Sequence, residues 1–384
     1  MSASVLAACV LATGCASSSR PGGNLQMEVL YAGHGIELVA TGLGTGVGVA
    51  SDVDTNAEQQ PRLYLSQDLV RWRNITPPGA LKGDGNKGDV NVITGASWIS
   101  STVGWVSTCR DLSFGQAIFQ TTDGGKAWRS IPDPGVDGQP FDCYRSVELL
   151  KANVGVYNDG GQLEGGSPLE VTDDDGQTWI APYSLFGGDN ADPDRGVVFA
   201  DRNDAVALGG PPRSQGPGMQ VSHDGGRTWT AVMPPAPAGG DAVYSLPAFP
   251  GGGVDLISAV AVTATGAGTV QLDSSTDGGS TWSIVARFPF ATTGRTDASV
   301  SVVAGGAWWV SLPTAIPTIE VSRDQGRTWL AVEAQALSAA PVLTAVDDTS
   351  ALATETTPSP FFNSVVVETN DGGRHWTRLQ LPSK

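Results

Sequence analysis

Short apolar segments, separated by turn-forming residues, recur along the second half of the chain. Each is five or six residues long and combines β-branched or aromatic residues with small polar ones, which is typical of β-strands. Two consecutive stretches contain four such segments each, at 298–303, 307–311, 318–322 and 328–332, and at 341–345, 350–354, 364–368 and 375–379. The pattern therefore predicts four strands in each stretch.

One motif lies between the third and fourth segments of both stretches, and it recurs earlier in the chain. It reads Ser/Thr-x-Asp-x-Gly-x-Thr-Trp, with Ala127 and His375 in place of the Thr in two copies. A seventh copy, 66–72, is one residue shorter and has no Gly. The motif aspartates are Asp68, Asp123, Asp174, Asp224, Asp277, Asp324 and Asp371. Self-similarity at this spacing predicts a repeat architecture.

The chemistry of the motif indicates a turn. Asp accepts hydrogen bonds from nearby backbone N–H groups, Gly supplies positive φ, and Trp offers a large surface for packing between sheets. The motif resembles the Asp-box, or bacterial neuraminidase repeat. The resemblance implies that each box joins the third and fourth strands of a propeller blade, on the rim away from the ligand-binding face. The seven aspartates are accordingly expected to be structural rather than catalytic.

Four strands per repeat, arranged radially, form a β-propeller. We expect an all-β fold, a seven-bladed β-propeller of four-stranded antiparallel blades with Asp-box turns, over residues 27–384. The seventh repeat supplies four strands of its own. The segment 26–31 could therefore add a strand or pack beneath the ring, and the sequence leaves this open.

Composition narrows the possible functions. The chain of 384 residues has 50 Gly and 25 Pro, 40% hydrophobic and 16% charged residues, and a net charge of −17 without a basic tract. This excludes disorder, a coiled coil and collagen, and it makes nucleic acid an unsuitable partner. No Cys-x-x-Cys is present, and His34, His223 and His375 are far apart in sequence, so neither a metal nor a cofactor is expected.

The first residues indicate export. An apolar run at 5–12 is too short to span a bilayer but suits a signal peptide. Residues 11–15 resemble a bacterial lipobox, which implies a signal peptide at 1–14, lipidation of Cys15 and a flexible tether at 15–26. The chain would then be a membrane-anchored lipoprotein on the extracytoplasmic face, or a secreted protein. No Lys or Arg precedes the run, and Ala12 replaces the usual Leu, so an ordinary cleaved signal or a disordered tail remains the alternative.

The loops opposite the boxes contain the candidate ligand-binding residues. Cys109 and Cys143 are expected on this face of adjacent blades, where a disulfide is reasonable, although two free thiols remain possible. Acidic, basic and tyrosine side chains near the same loops could form a polar mouth for a carboxylate or a sugar. The alternative is that they are ordinary turn residues and surface ion pairs. The candidates are Arg110, Asp142, Tyr144, Arg145, Asp194, Arg195, Arg213, Asp241, Tyr244, Arg295 and Asp297.

Two functions follow from the resemblance. Sialidases with Asp boxes bind the substrate carboxylate with three arginines and use a Tyr nucleophile, but this chain lacks their Arg-Ile-Pro element before the first box. Propellers of the photosystem II stability and assembly factor type, and sortilin-type receptors, are binding platforms. We therefore expect no catalytic residues, and a monomeric binding or scaffold platform for a protein or glycan at the cell envelope. An exo-acting glycoside hydrolase of sialidase type is the alternative, so the enzyme question stays open.

Overall fold

All regular structure in the described residues of the computed structural model is β-strand. Those residues are 26–33, 36–42, 62–66, 71–78, 91–98, 102–110, 116–131, 146–151, 154–158, 168–184, 197–208, 219–239, 242–251, 253–262, 266–291, 298–303, 306–334, 337, 341–356 and 364–379. The predicted signal peptide at 1–14 and residues 15–25 of the predicted tether at 15–26 lie outside them, as does Asp68 of the short box. Gln26, the last residue of the predicted tether, is instead the first residue of a strand.

The described strands form seven antiparallel sheets, numbered here in chain order. Sheet one contains β1 (Gln26–Gly33), β2 (Ile36–Gly42), β3 (Arg62–Ser66) and β4 (Arg73–Asn74). Sheet two contains β5 (Asn91–Trp98), β6 (Gly104–Arg110), β7 (Gln116–Thr121) and β8 (Arg129–Ile131). Sheet three contains β9 (Ser146–Lys151), β10 (Val154–Asn158), β11 (Pro168–Thr172) and β12 (Ile180–Ser184).

The remaining four sheets follow the same order along the chain. Sheet four contains β13 (Val197–Phe199), β14 (Ala205–Leu208), β15 (Met219–Ser222) and β16 (Thr230–Val232). Sheet five contains β17 (Val243–Tyr244), β18 (Ala248–Gly251), β19 (Val254–Val262), β20 (Ala267–Ser275) and β21 (Ser283–Ala291). Sheet six contains β22 (Ser299–Val302), β23 (Trp308–Leu312), β24 (Thr318–Ser322) and β25 (Leu330–Glu333). Sheet seven contains β26 (Val342–Ala345), β27 (Ala351–Thr356), β28 (Ser364–Thr369) and β29 (Thr377–Arg378).

The predicted all-β propeller is confirmed, and its blades are four-stranded antiparallel meanders with one exception. In sheet five, β17 and β18 both pair with β19, so this sheet has five strands. The predicted four-stranded plan is kept in sheet five as well, because β17 and β18 pair one after the other with the same edge of β19 and together take the place of one outer strand. This is possible because β19 runs for nine residues and is long enough for both short strands to pair along it.

The predicted strands of sheets six and seven are confirmed, but their fourth strands begin two residues later than the pattern indicated. Thr328 is still part of the turn, since both its N–H and its hydroxyl donate to Asp324. His375 is held in the same way by Asp371. The polar residue before each box Trp therefore belongs to the turn, and the ladder starts after the Trp.

Six hydrophobic clusters join consecutive sheets, and in each of them the Trp of a box packs near the preceding sheet. Trp128 of box two packs with Leu63, Leu65 and Ile75 of sheet one. The corresponding residues at the other junctions are Trp179, Trp229, Trp282, Trp329 and Trp376. Burying such aromatic surface is among the largest contributions that a single side chain makes to a core. The polar residues of the box thus form the turn of the hairpin, and its Trp packs the sheet against the preceding one.

The first strand answers the question that the sequence left open. β1 pairs with β2 along its length and forms an edge of sheet one, so residues 26–31 are a strand of a blade. The same strand contacts β26, β27 and β28 of sheet seven, as well as β5 of sheet two. The first and last sheets of the chain therefore lie side by side.

Candidate functional site

The Asp-box turn is the most regular polar structure in the described residues. In the fourth box, Asp224 Oδ1 accepts hydrogen bonds from the Thr228 N–H at 2.8 Å and the Ser222 hydroxyl at 2.9 Å, and Asp224 Oδ2 accepts from the Thr228 hydroxyl at 2.7 Å. The Ser222 hydroxyl oxygen in turn accepts from the Gly226 N–H at 2.8 Å. One carboxylate and one hydroxyl therefore accept most of the hydrogen bonds of the turn, and the Gly225 N–H donates instead to the Asn203 carbonyl at 2.9 Å.

These hydrogen bonds stabilise the ionised carboxylate, because donors favour the charged form. The Thr228 hydroxyl and N–H lower the pKa of Asp224 to about 2. Equivalent donors lower the pKa of Asp174, Asp324 and Asp371 to about 2, and they also lower the pKa of Asp123 and Asp277. A carboxyl group with such a pKa is a poor general acid near neutral pH.

Backbone conformation explains the glycines of the box. The fourth and fifth box positions both have positive φ, and in box three these are Asp175 at 71° and Gly176 at 74°. A Cβ on Gly176 would lie 2.3 Å from Ile131 Cγ2 of sheet two. Gly at this position therefore allows the left-handed turn and, at the same time, close contact with the preceding sheet.

The Asp-box turns lie at one end of the sheets, which we call the box face. Polar side chains also connect neighbouring sheets on this face. Arg73 of sheet one donates to the Gly124 carbonyl of box two at 2.5 Å, and Arg129 of sheet two donates to the Asp175 carbonyl of box three at 3.0 Å. Further contacts join Arg202 to Asp173 at 3.1 Å and Arg323 to the Asp348 carbonyl at 3.0 Å. Polar contacts on the box face therefore connect several pairs of neighbouring sheets.

One junction on this face has a different set of side chains. His223 Nδ1 lies 2.7 Å from Asp204 Oδ1, and His223 Nε2 lies 2.7 Å from Ser280 Oγ. Asp204 and His223 belong to sheet four and its box, whereas Ser280 belongs to the box of sheet five. Sequence spacing did not point to these residues, since they are separated by 19 and 57 positions. Their contact depends on how box five lies against box four.

A second polar cluster lies inside sheet five. The Asp273 side chain is fully buried and accepts from Gln271 Nε2 at 3.0 and 3.2 Å. Gln271 Nε2 also donates to the Pro235 carbonyl at 3.0 Å, and Gln271 Oε1 accepts from Arg287 Nε at 3.0 Å. Burial raises the pKa of Asp273 to about 6, against the opposing effects of Gln271 and Arg287.

Tyr244, one of the candidate ligand-face residues, lies beside this cluster. Its side chain is buried, and its hydroxyl donates to the Pro234 carbonyl at 3.0 Å. Burial first, and then the charge of Asp273, raises the pKa of this phenol. The hydroxyl is thus engaged within the protein, in an environment that disfavours the phenolate. Contact of Tyr244 with a ligand stays a prediction.

Asp255 is a further buried carboxyl group, at the start of β19. It is 6% exposed. Burial, together with the charges of Asp204, Asp277 and Asp201, raises the pKa of Asp255 to about 6. Negative charge is therefore concentrated where the boxes of sheets four and five meet.

The remaining candidates are placed only in part. Cys109 and Arg110 are the last residues of β6, paired with Val92 and Asn91 of β5, at the end of the sheet opposite the box. The other candidates lie outside the described residues: Asp142, Cys143, Tyr144, Arg145, Asp194, Arg195, Arg213, Asp241, Arg295 and Asp297. The polar mouth and the disulfide stay predictions. Among the residues that the structure describes, no group of His, Cys, Asp and Glu is arranged to hold a metal ion.

The fold and the turn chemistry together define a class of protein, a β-propeller built on Asp-box repeats. Residues 220–231, which contain the fourth box, match the family model of the BNR/Asp-box repeat. Among curated proteins, no sequence matches the chain. Within the described ranges, no helix has the length and apolar character needed to cross a membrane.

Solved structures of proteins with different activities resemble the chain to a similar extent. YCF48 bound to a D1 peptide has 13% identity and a TM-score of 0.45, with 93% of this chain and 96% of that chain covered. An ulvan lyase of polysaccharide lyase family 25 has 13% identity and a TM-score of 0.44, with 74% and 81% covered. The Hadza microbial sialidase Hz136 has 13% identity and a TM-score of 0.37, with 86% and 63% covered. At these identities and TM-scores, the resemblance says nothing about what this chain binds.

Proposed function

We propose that the chain is an exported, non-catalytic Asp-box propeller that presents a binding or scaffold platform to a protein or glycan at the cell envelope. The observation that carries the proposal is the state of the six described box carboxylates. Each is held by donors of its own turn and is fixed in its ionised form, for instance Asp224 by Ser222 and Thr228. These residues stabilise the turns of the scaffold. We therefore assign ligand binding to the loops at the opposite ends of the sheets.

We also propose that the seven sheets are seven blades of one ring. Clusters of buried side chains support six junctions between consecutive sheets, and the contacts of β1 with β26, β27 and β28 support the seventh. An experimental structure in which β1 lies away from sheet seven would contradict this arrangement.

The proposed platform face can be tested by site-specific photo-crosslinking in the native host. A photoreactive amino acid at Arg110 stands at the end of sheet two opposite its box, and one at Lys126 stands on the box itself, where the side chain is exposed. We expect crosslinked adducts from position 110 and few from position 126. Equal adducts from both positions, or adducts from 126 alone, would contradict the assignment of the binding face.

Enzyme activity is tested separately with a fluorogenic sialoside. A non-catalytic platform gives no turnover above background. Robust turnover that is abolished by Arg145→Ala would establish the sialidase-type alternative, because a guanidinium that pairs with the substrate carboxylate is needed for binding.

Anchoring through Cys15 is a further part of the proposal. Lipid chains at this position would hold the monomeric propeller at the membrane, since each buried CH₂ contributes about 0.8 kcal/mol. The chain carries a net charge of −17, so attraction to anionic lipids is not an alternative. Wild type is expected to incorporate labelled palmitate and to fractionate with membranes, and Cys15→Ser is expected to do neither. Absence of label in the wild type, with both forms equally soluble, would exclude the lipid anchor.

A further inference from the structure

The hydrogen-bonded chain of Asp204, His223 and Ser280 has the order of groups found in serine hydrolases. An ionised carboxylate can only accept, so the Asp204 contact places the proton of the neutral imidazole on Nδ1. His223 Nε2 is then the acceptor for the Ser280 hydroxyl, at 2.7 Å. A hydroxyl nucleophile, a base and an acid that orients the base are thereby aligned, and such constellations are recognised by geometry and not by fold.

The backbone around these residues holds the arrangement in place. Asp204 lies in the turn between β13 and β14, where its N–H donates to Asp201 Oδ1 at 3.0 Å and its carbonyl accepts from the Ala200 N–H at 2.9 Å. Gly278 of box five has a φ of 65°, and a Cβ there would lie 2.9 Å from His223 Cε1 and 3.2 Å from Asp204 Oδ1. Because Gly278 has no side chain, the backbone of box five can lie next to one edge of the imidazole.

The three side chains are also accessible. The His223 side chain is 48% exposed and that of Asp204 is 35% exposed, and Ser280 is exposed as well. Only the fourth box has His at its second position, and only the fifth has Ser at its sixth, so this combination occurs at one junction of the chain. The other boxes form the same turn without this His and Ser, so the pair is not needed for the turn itself.

We propose that Ser280, His223 and Asp204 form a hydrolytic site on the box face, which cleaves small carboxylic esters that are neutral or positively charged. The charge preference follows from the acidic side chains around the site. Asp201 lies in the same turn as Asp204, and Asp277 lies in the same box as Ser280, so an anionic ester would be repelled. This site goes beyond the platform function: it would make the box face catalytic, while the opposite face stays a non-catalytic binding surface. Failure of the hydrolytic site would leave the platform proposal intact.

The reaction has two steps. Ser280 Oγ forms a bond to the ester carbonyl carbon while His223 Nε2 takes the hydroxyl proton, and the bond from that carbon to the alcohol oxygen breaks as the proton passes to the leaving group. Water then attacks the acyl-serine, with its proton passing through His223 Nε2 to Ser280 Oγ. The products are one carboxylic acid and one alcohol, and the enzyme is unchanged.

The site is tested on the full chain with p-nitrophenyl acetate and with a fluorophosphonate probe. We expect turnover of the ester, together with probe attached to Ser280 by mass spectrometry. Ser280→Ala and His223→Gln should lower the hydrolysis rate by about 10²-fold or more, since general-base assistance is typically of that size. Asp204→Asn should also lower the rate, because it favours the wrong imidazole tautomer. The anionic ester p-nitrophenyl succinate should react more slowly than the acetate.

Ser283→Ala is the matched control, since Ser283 is an exposed serine at the start of β21 that is not part of the chain of hydrogen bonds described here. It should keep both the rate and the labelling, and melting temperatures should show that all variants are folded. The proposal is overturned if the wild type takes up no probe at Ser280, or if hydrolysis is the same in Ser280→Ala. Lower melting temperatures of the variants with an unchanged rate would show that these residues only hold two blades together.

Discussion

The aspartates of the Asp boxes and the two aspartates buried in sheet five differ in what determines their charge. Asp224 lies in a surface turn and is surrounded by donors from Ser222 and Thr228, which lower its pKa to about 2. Asp273 and Asp255 lie inside the sheet, and burial raises the pKa of each to about 6. Position within the fold is therefore not enough to infer a role for a carboxyl group in this chain. The balance between burial, which raises the pKa, and hydrogen-bond donors, which lower it, decides whether the carboxyl group is a permanent anion or a titrating group.

Removing a box carboxylate is expected to have the largest effect. Asp224→Ala removes the acceptor of the Thr228 N–H and of the Ser222 and Thr228 hydroxyls. Each of these three hydrogen bonds contributes about 0.5–1.5 kcal/mol net, so their joint loss should lower the free energy of unfolding more than any other substitution considered below. Chemical denaturation measures the change. Asp173→Ala is the control, because the Asp173–Arg202 ion pair is half exposed and such pairs contribute about 0–1 kcal/mol. An equal loss in both variants would mean that the turn network has no special importance.

Replacing a buried carboxyl group with a neutral side chain should instead raise the free energy of unfolding at neutral pH. The raised pKa of Asp273 means that the folded state holds its proton up to about pH 6, whereas the unfolded chain releases it near the ordinary value of 3.8. Stability should therefore fall as the pH rises between these two values and stay constant above them. Asp273→Asn should remove this fall and stabilise the protein at pH 7 by about 1–3 kcal/mol.

Denaturation curves from pH 3.5 to 7.5 measure the effect of Asp273→Asn. Box aspartates act in a different window, because their lowered pKa values give stability that is present above about pH 4 and is lost as the pH falls through about 2. Asp255→Asn offers an independent test of the same window as Asp273→Asn. A slope between pH 4 and 6 that neither substitution reduces would contradict the assignment to these two groups, whereas a smaller remaining slope is expected from Glu320 and Glu368, whose pKa values are also raised by burial.

A smaller gain is expected from completing a box. Box two has Ala127 where other boxes have Thr, so Asp123 receives the Ala127 N–H but no hydroxyl from that position. Ala127→Thr should add a hydroxyl donor to Asp123 and raise the melting temperature by less than Asp224→Ala lowers it. Ala127→Val, which has a similar shape without a hydroxyl, is the control. A gain of the same size with Val would attribute the effect to packing.

The smallest effect concerns the backbone. Gln325, at the fourth position of box six, has a φ of 59°, a conformation that is unfavourable for residues with a side chain. Gln325→Gly should relieve this strain and raise the melting temperature slightly, by an amount limited by the greater entropy of Gly in the unfolded chain. Asp175→Gly has the same backbone benefit but loses the hydrogen bond from Gln120 Nε2 at 2.6 Å, so it should not be stabilising. Equal gains in both would show that the Gln120 contact is not important.

Regular repetition made most of the fold predictable from the sequence. The strands around Asp324 and Asp371 could be placed because each box fixes its own hairpin through contacts within eight residues. The extra strand in sheet five and the starts of the fourth strands were not predicted. Both depend on pairing details, such as the length of β19, that apolar patterning does not encode.

The candidate sites were less predictable because they depend on contacts between repeats. Tyr244 was predicted as a ligand-face residue because it lies near the loops of the predicted polar mouth, but the direction of its hydroxyl depends on the path of the chain around Pro234. His223 and Ser280 meet only because two boxes lie side by side. A comparison of the second and sixth positions of successive boxes was the one sequence signal that could have suggested this pair.

Sheet one and sheet seven are each built from consecutive strands and touch only through packing, as β1 contacts β26, β27 and β28. In the described strands, no strand is exchanged across this junction. A chain of this kind can be opened at another loop and joined at its old ends without interrupting any ladder of hydrogen bonds. It can also gain or lose a whole repeat by duplication or deletion, since each repeat carries its own sheet and its own means of attachment to the previous one.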